Sequence, residues 1–122
     1  MLVIDAAEGV REQSRRHGML LSLLGVAQIA VVVNKMDLAG FAAGRFAAIC
    51  DEYRAYLATL GVRDAAFVPV VARDGDNVTT KSTRMPWYGG DALLAVLDSF
   101  APLAEAVDLP LRLPIQDVYK FD

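Results

Sequence analysis

Residues Gln28 to Asp37 have the sequence QIAVVVNKMD, in which an apolar, β-branched run ends at Val33 and the tetrapeptide Asn34-Lys35-Met36-Asp37 follows. Such a run is typical of a strand that is buried on both faces of a parallel sheet. Open α/β sheets bind ligands beyond the carboxyl ends of their strands, which is where this tetrapeptide would lie. The stretch therefore predicts the fold class and also the edge of the sheet that would carry a site.

The residue types of the tetrapeptide suit recognition of a guanine base. Guanine presents two adjacent donors, the ring N1–H and the 2-amino group, and the two oxygens of the Asp37 carboxylate can accept from both. The Asn34 amide can meet the acceptor edge of the base or join neighbouring loops, and the aliphatic stem of Lys35 can lie over the flat ring. Asn and Asp also turn a chain after a strand, so a plain turn is the alternative interpretation.

The composition indicates one globular domain with a hydrophobic core. The chain has 122 residues, of which 55% are hydrophobic and 22% charged, and its net charge is -3 with scattered basic residues. These values argue against a disordered chain and against a nucleic-acid-binding surface. The single cysteine, Cys50, is expected to be a small buried hydrophobe in a cytoplasmic protein. No apolar stretch approaches the roughly 18 to 20 residues that span a bilayer, and no signal peptide is recognisable.

Apolar runs alternate with segments of helical periodicity along the chain. This alternation predicts a parallel sheet with right-handed crossovers, flanked by helices. The predicted strands are Leu2 to Ile4, Gln28 to Val33 and Phe67 to Val71. The predicted helices are Arg11 to Leu24, Phe46 to Leu60, and one that begins at an N-cap on Asp91 and ends near Phe100. A long irregular loop, Thr79 to Gly90, precedes the last helix.

The exits of the three predicted strands should lie along one edge of the sheet, because parallel strands share a direction. Ala72 and Arg73 follow the third strand. We therefore expect Ala72 and Arg73 beside Asn34 and Asp37.

Two segments are expected along the chain. Residues 1–103 form the α/β part, and residues 104–122 form a linker and a strand. The linker has prolines that exclude a helix between Leu109 and Pro114, whereas Ile115 to Phe121 alternates as a half-buried strand does. Because the chain opens inside a buried strand, we expect an excised or incomplete domain.

Six motifs carry a resemblance to a known family. They are Ile4-Asp5-Ala6, EQSRRH at Glu12 to His17, VNKMDL at Val33 to Leu38, GDNV at Gly75 to Val78, MPWY at Met85 to Tyr88, and LPIQDVYKF at Leu113 to Phe121. In this order, which spans almost the whole chain, they resemble the translation-factor class of GTPases. Within that class the chain looks most like the GTPase subunit of bacterial sulfate adenylyltransferase, which also occurs fused to an adenylylsulfate kinase.

The resemblance implies a fold, a ligand and partners. Residues 1–103 would be the C-terminal part of a P-loop GTPase domain, and residues 104–122 would end in the first strand of a truncated β-barrel domain. The cofactor would be GTP or GDP, held by Asn34, Lys35, Asp37, Ala72 and Arg73, with the Ala72 backbone N–H meeting guanine O6. The intact protein would couple GTP hydrolysis to synthesis of adenylylsulfate from ATP and sulfate in sulfate assimilation. Its partner would be the small ATP-using subunit or, in the fused form, also a kinase domain, without membrane or direct nucleic-acid contact.

The chain departs from the family pattern in two ways. Val71 stands where the family usually has the serine that braces the base-side loop. No G-x-x-x-x-G-K-[ST] motif occurs, so the phosphate loop is missing and no Mg²⁺ ligand or catalytic residue is expected within this chain. We therefore do not expect the chain to hydrolyse GTP alone. Two alternatives remain: an elongation-factor GTPase, and a scaffold fragment that does not turn over nucleotide.

Overall fold

A computed structural model describes residues 1 to 102. In this range the chain forms three strands, three α-helices and one short 3-10 helix. They are, in order, β1 (Leu2–Asp5), α1 (Glu12–Leu23), β2 (Ile29–Asn34), the 3-10 helix (Met36–Ala39), α2 (Ala43–Thr59), β3 (Ala65–Pro69) and α3 (Leu93–Asp98). The linker and strand expected in residues 104–122 lie outside the described residues.

The strands form a parallel sheet in the order β1-β2-β3. Val33 of β2 is level with Ile4 of β1 and with Pro69 of β3. The three strands therefore end at the same height, and their exits share one edge of the sheet. The predicted α/β fold with a parallel sheet flanked by helices is confirmed.

Both faces of β2 are buried, which explains its unbroken apolar sequence. Ile29, Val31 and Val33 face one side and pack in a core with Tyr53 of α2. Val32 faces the other side, in a smaller core that Leu93 of α3 completes. A helix thus covers each face of the central strand and fixes its register, because a shift by one residue would exchange the two faces.

Helices α1 and α2 approach closely at Gly18. The Tyr53 hydroxyl donates a hydrogen bond of 2.6 Å to the Ser14 carbonyl oxygen. A Cβ atom added at Gly18 would lie only 2.6 Å from that hydroxyl oxygen, so a larger residue does not fit there. Burial raises the pKa of Tyr53 to about 12, because a buried phenolate would lose its solvation.

The third strand is displaced toward the N-terminus relative to the prediction. It covers Ala65–Pro69 and not Phe67 to Val71. The backbone N–H of Val70 still donates to the Val33 carbonyl at 2.8 Å, and Val70 and Val71 are buried. The apolar run is longer than the strand because the chain stays beside β2 for two residues after β3 ends.

The prediction that Asp91 caps the last helix is wrong. The N-cap is Ala92, and its side chain makes no capping hydrogen bond. The first N–H groups of α3 are instead satisfied by backbone carbonyls of the preceding loop, since Leu93 N–H donates to Asn77 at 2.8 Å. Asp91 is exposed and lies 3.9 Å from the Lys81 ammonium.

Among residues 1–102, no helix combines the length and the hydropathy that crossing a bilayer requires.

Candidate functional site

Asn34 joins the exits of β2 and β3. Its side-chain oxygen accepts hydrogen bonds from the backbone N–H of Lys35 at 2.7 Å and from that of Ala72 at 3.0 Å. A backbone hydrogen bond also joins the two exits, from the Met36 N–H to the Val70 carbonyl oxygen at 3.2 Å. The Ala72 N–H, expected to meet guanine O6, is thus already bonded within the protein, so contact with a base would share or replace the bond to Asn34.

Lys35 joins the exits of β2 and β1. Its backbone is left-handed, with φ of 60°, and its ammonium donates to Asp5 at 2.7 Å. The other Asp5 oxygen accepts from the backbone N–H of Ala7 at 2.8 Å. The hydrogen bond from Lys35 is the main reason that the pKa of Asp5 lies below its usual value, and the same bond raises the pKa of Lys35. The Lys35 stem is therefore held across the strand exits.

Asp37 projects into a cleft at this edge of the sheet. The cleft has a volume of about 330 Å³ and is lined by Asn34, Lys35, Asp37, Leu38, Val71 and Arg73. The Asp37 side chain is 20% exposed, and one carboxylate oxygen lies 3.4 Å from a guanidinium nitrogen of Arg73. The exposed Leu38 side chain adds an apolar surface beside it. The cleft thus combines a reachable carboxylate with apolar walls, the combination that a flat polar ring requires.

Arg73 belongs to a chain of alternating charges that borders the cleft. Its guanidinium donates to Asp74 at 2.9 Å, and Arg84 donates to Asp74 at 2.8 Å and to Asp76 as well. Hydrogen bonds from Arg73 and Arg84 lower the pKa of Asp74 to about 2. Those from Arg84 and Ser82 lower the pKa of Asp76. The two carboxylates hold the arginines beside the cleft through these hydrogen bonds.

The structure brings together all five residues proposed from the sequence. Asn34, Lys35, Asp37 and Arg73 line the cleft, and Ala72 is bonded to Asn34. A second cleft of about 290 Å³ is also lined by Asn34 and Lys35, together with residues that include Asp5, Glu8 and Arg11. Within residues 1–102 no group of three or more His, Cys, Asp or Glu residues could hold a metal ion.

Sequence reasoning did not assign Asp5, Arg84 or Trp87 to the site region. The position of Asp5 at the exit of β1 is a signal that could have found it. Trp87 anchors the long loop by donating its ring N–H to the Phe41 carbonyl oxygen at 2.9 Å. Arg84 stands just before the MPWY motif, and no local pattern marked it.

Comparisons with known proteins show the family to which the chain belongs. The model of the elongation factor Tu GTP binding domain matches residues 1–109. Sulfate adenylyltransferase subunit 1 of Citrobacter koseri is 46% identical over 120 residues, which are 97% of this chain and 25% of that protein. Elongation factor 1-alpha of Thermoplasma volcanium is also 46% identical, over 123 residues that cover 98% of this chain and 29% of that protein.

A third relative and a solved structure extend the comparison. The bifunctional enzyme CysN/CysC of Mycobacterium tuberculosis is 42% identical over 120 residues, 98% of this chain and 20% of that protein. The crystal structure of Sup35 complexed with GMPPNP superposes with a TM-score of 0.72 at 31% identity, covering 84% of this chain and 29% of that one. The chain spans about a quarter of the length of the relatives it matches. With a family model matched over most of its residues and a nucleotide-bound neighbour of the same fold, the chain belongs to the elongation factor Tu GTP-binding domain family, in the translation-factor class of GTPases.

Proposed function

We propose that this chain binds the guanine base of GTP or GDP in the cleft beside Asp37. The observation that supports this most directly is the position of the Asp37 carboxylate, which is 20% exposed and faces the cleft at the common edge of the strands. A carboxylate in that position accepts from the base N1–H and 2-amino group together. Adenine has no such pair of donors, so the cleft favours guanine.

The neighbouring residues support this role in different ways. Asn34 keeps the exits of β2 and β3 together through Ala72, which fixes the width of the cleft. The Lys35 stem is stretched toward Asp5 and offers methylene groups to one face of the base. Arg73 lies at the rim with its side chain 77% exposed, and its guanidinium can stack on the other face.

GTP also carries phosphates, which proteins of this family bind together with Mg²⁺. The cleft beside Asp37 would hold only the base. The Asp37 carboxylate in the cleft lies 3.4 Å from Arg73, and the neighbouring carboxylates are also engaged with cations, Asp5 with Lys35 and Asp74 with two arginines. These residues therefore fit base recognition and do not form a metal site. Hydrolysis of GTP is proposed for the intact protein.

The replacement Asp37→Asn tests base recognition in the intact protein. It exchanges a double acceptor for a group that also donates, so GDP binding should weaken by about ten- to 150-fold, the range for one charged hydrogen bond. XDP should bind relatively better, because the 2-oxo group of xanthine is an acceptor. Titration with both nucleotides measures the ratio.

Asp51→Asn is the matched control for that experiment. It makes the same carboxylate-to-amide change on α2, where Asp51 pairs with the exposed Arg54. The control should bind GDP and XDP as the unaltered protein does. Equal GDP and XDP affinities before and after the change at Asp37 would remove Asp37 from base recognition.

For the intact protein we propose the GTPase subunit of sulfate adenylyltransferase. Support comes from the 46% identity to subunit 1 of that enzyme and the 42% identity to the bifunctional CysN/CysC protein. Forming the phosphosulfate anhydride of adenylylsulfate is uphill. A GTPase can drive it only if its nucleotide states differ in their contacts with the ATP-using partner.

An elongation-factor function is the second candidate, because elongation factor 1-alpha relatives reach the same 46% identity. Reconstitution with the small ATP-using subunit separates the candidates. The sulfate-activation function predicts that pyrophosphate release from ATP and sulfate rises when GTP is added. GTP-dependent binding of aminoacyl-tRNA with no effect on pyrophosphate release would favour the elongation factor. Binding of the small subunit that ignores GTP would indicate a scaffold.

A further inference from the structure

The turn that carries Asp37 ends at two residues with left-handed backbones. Gly40 has φ of 63° and Phe41 has φ of 55°. This conformation is easy for glycine and costly for a residue with a Cβ atom. The Gly40 N–H donates to the Asp37 carbonyl at 3.1 Å, and the Phe41 N–H donates to the Met36 carbonyl at 2.8 Å. The position of Asp37 therefore depends on Phe41 keeping its unfavourable conformation.

Trp87 binds the carbonyl group of Phe41, the residue at which the turn ends. Its ring N–H donates to the Phe41 carbonyl at 2.9 Å, so both backbone groups of Phe41 are bonded. The indole ring packs against Phe46 of α2, with ring centroids 5.5 Å apart. Trp87 thus ties the turn after β2 to a helix and to the long loop Thr79 to Gly90.

Arg84 holds the side chain of Phe41. The centre of its guanidinium lies 4.9 Å from the centroid of the Phe41 ring, which is a cation–π arrangement. The same guanidinium donates to Asp74 at 2.8 Å and also to Asp76. Asp74 in turn binds Arg73 at 2.9 Å. The turn that carries Asp37 and the loop that carries Arg73 therefore meet at Arg84.

We propose that Arg84 and Trp87 are positioning residues for guanine recognition, acting through Phe41. Neither is among the residues that line the cleft. They restrain the turn and the loop that provide Asp37 and Arg73, and so set the distance across the cleft. The proposal deepens the proposed function and rests on it.

Two variants test the proposal in the intact protein. Trp87→Phe keeps an aromatic ring but removes the N–H that donates to the Phe41 carbonyl oxygen. Arg84→Gln removes the positive charge that lies over the Phe41 ring and pairs with Asp74 and Asp76. Each should raise the GDP dissociation rate by about two- to tenfold, the size expected for one hydrogen bond. The preference for GDP over XDP should fall as well, because a displaced Asp37 no longer meets both donors. Arg84→Lys, which keeps the charge without the flat guanidinium, should lie between Arg84→Gln and the unaltered protein.

Arg54→Gln is the matched control. Arg54 stacks on Phe67 with a separation of 4.8 Å and pairs with Asp51 at 3.5 Å, so its contacts resemble those of Arg84. It lies on α2 and does not line the cleft. Its replacement should leave the GDP dissociation rate and the GDP-to-XDP ratio unchanged. An equal rise in the Arg54 and Arg84 variants would mean general destabilisation and would overturn the proposal.

Amide hydrogen exchange supplies a measurement that needs no nucleotide. The peptide containing Gly40 and Phe41 should exchange faster in Trp87→Phe and Arg84→Gln than in Arg54→Gln. Unchanged exchange would overturn the proposal whatever the nucleotide data show. Faster exchange with an unchanged GDP-to-XDP ratio would also overturn it, because the turn would then be held without consequence for recognition. If Asp37→Asn leaves nucleotide binding unaltered while exchange responds as expected, the proposed function itself fails, and the inference falls with it.

Discussion

Strand β2 and the turn that leaves it differ in what holds their side chains. Residues Ile29 to Val33 are at most 3% exposed, and the isoleucine and the three valines among them pack in the two apolar cores. From Asn34 onward, the polar side chains Asn34, Lys35 and Asp37 have specific polar partners, which are the backbone N–H of Ala72, the Asp5 carboxylate and the Arg73 guanidinium. The strand therefore depends on shape and volume, whereas the turn depends on individual donors and acceptors.

The difference predicts separate consequences for stability and recognition. A core side chain contributes through the apolar area that it buries, and similar apolar residues can replace it at modest cost. A site residue such as Asn34 contributes through hydrogen bonds whose geometry no residue of similar size reproduces. Changes in the core should thus lower the stability of the domain without altering base preference, whereas changes in the turn should alter base preference with a smaller effect on stability.

The largest expected effect is that of Leu57→Ala, which tests the core side of the comparison. Leu57 of α2 is 1% exposed and packs in the main core. Its truncation leaves a cavity and should lower the free energy of unfolding by about 2–5 kcal/mol. Denaturant unfolding of the intact protein, followed by the signal of this domain, measures the change.

The GDP-to-XDP ratio is the second measurement on the Leu57 variant. At a temperature where the variant remains folded, the ratio should match that of the unaltered protein, because the cleft residues keep their partners. A changed ratio would show that the core and the turn are coupled. It would contradict the expectation that changes in the core leave base preference unaltered.

The same difference explains how much could be predicted from the sequence. Burial of β2 follows from its apolar run, and the parallel order follows from the alternation of strands and helices. Placing Ala72 and Arg73 beside Asn34 and Asp37 needed only the rule that parallel strands end at one edge, and the hydrogen bonds there agree with it. Periodicity and topology thus predict what depends on shape.

Pairings between irregular segments could not be predicted. Arg84 contacts the Phe41 ring although the two residues are more than forty positions apart in the sequence. Neither of their irregular segments has a periodic pattern that would predict the contact. The error at Asp91 has the same origin, because the loop carbonyl of Asn77 caps Leu93 through a tertiary contact. The hydrogen bond from the Ala72 N–H to the Asn34 side chain could not be predicted either. It depends on the path of the irregular loop that follows β3.

A smaller effect, specific to the charged side of the comparison, is expected in acid. The folded-state pKa of Asp74 is about 2, below the usual value of 3.8, and the pKa of Asp76 is also lowered. For a carboxyl group with a depressed pKa, the stabilising contribution is fully present above the unfolded value and is lost as the pH falls through the folded value. The stability difference between the unaltered protein and Arg84→Gln should therefore be constant from pH 7 to about pH 4.5 and shrink toward about pH 2.

Urea unfolding at several pH values measures this difference, and Leu57→Ala provides the reference. The Leu57 difference should not change with pH, because no charge is involved. High salt at neutral pH should reduce the Arg84 difference in the same direction as acid, since the pairs of Arg84 with Asp74 and Asp76 are partly exposed and are screened. An Arg84 difference that stays constant down to pH 2 would mean that the ion pairs contribute nothing, and that Arg84 stabilises the turn only by lying against the Phe41 ring.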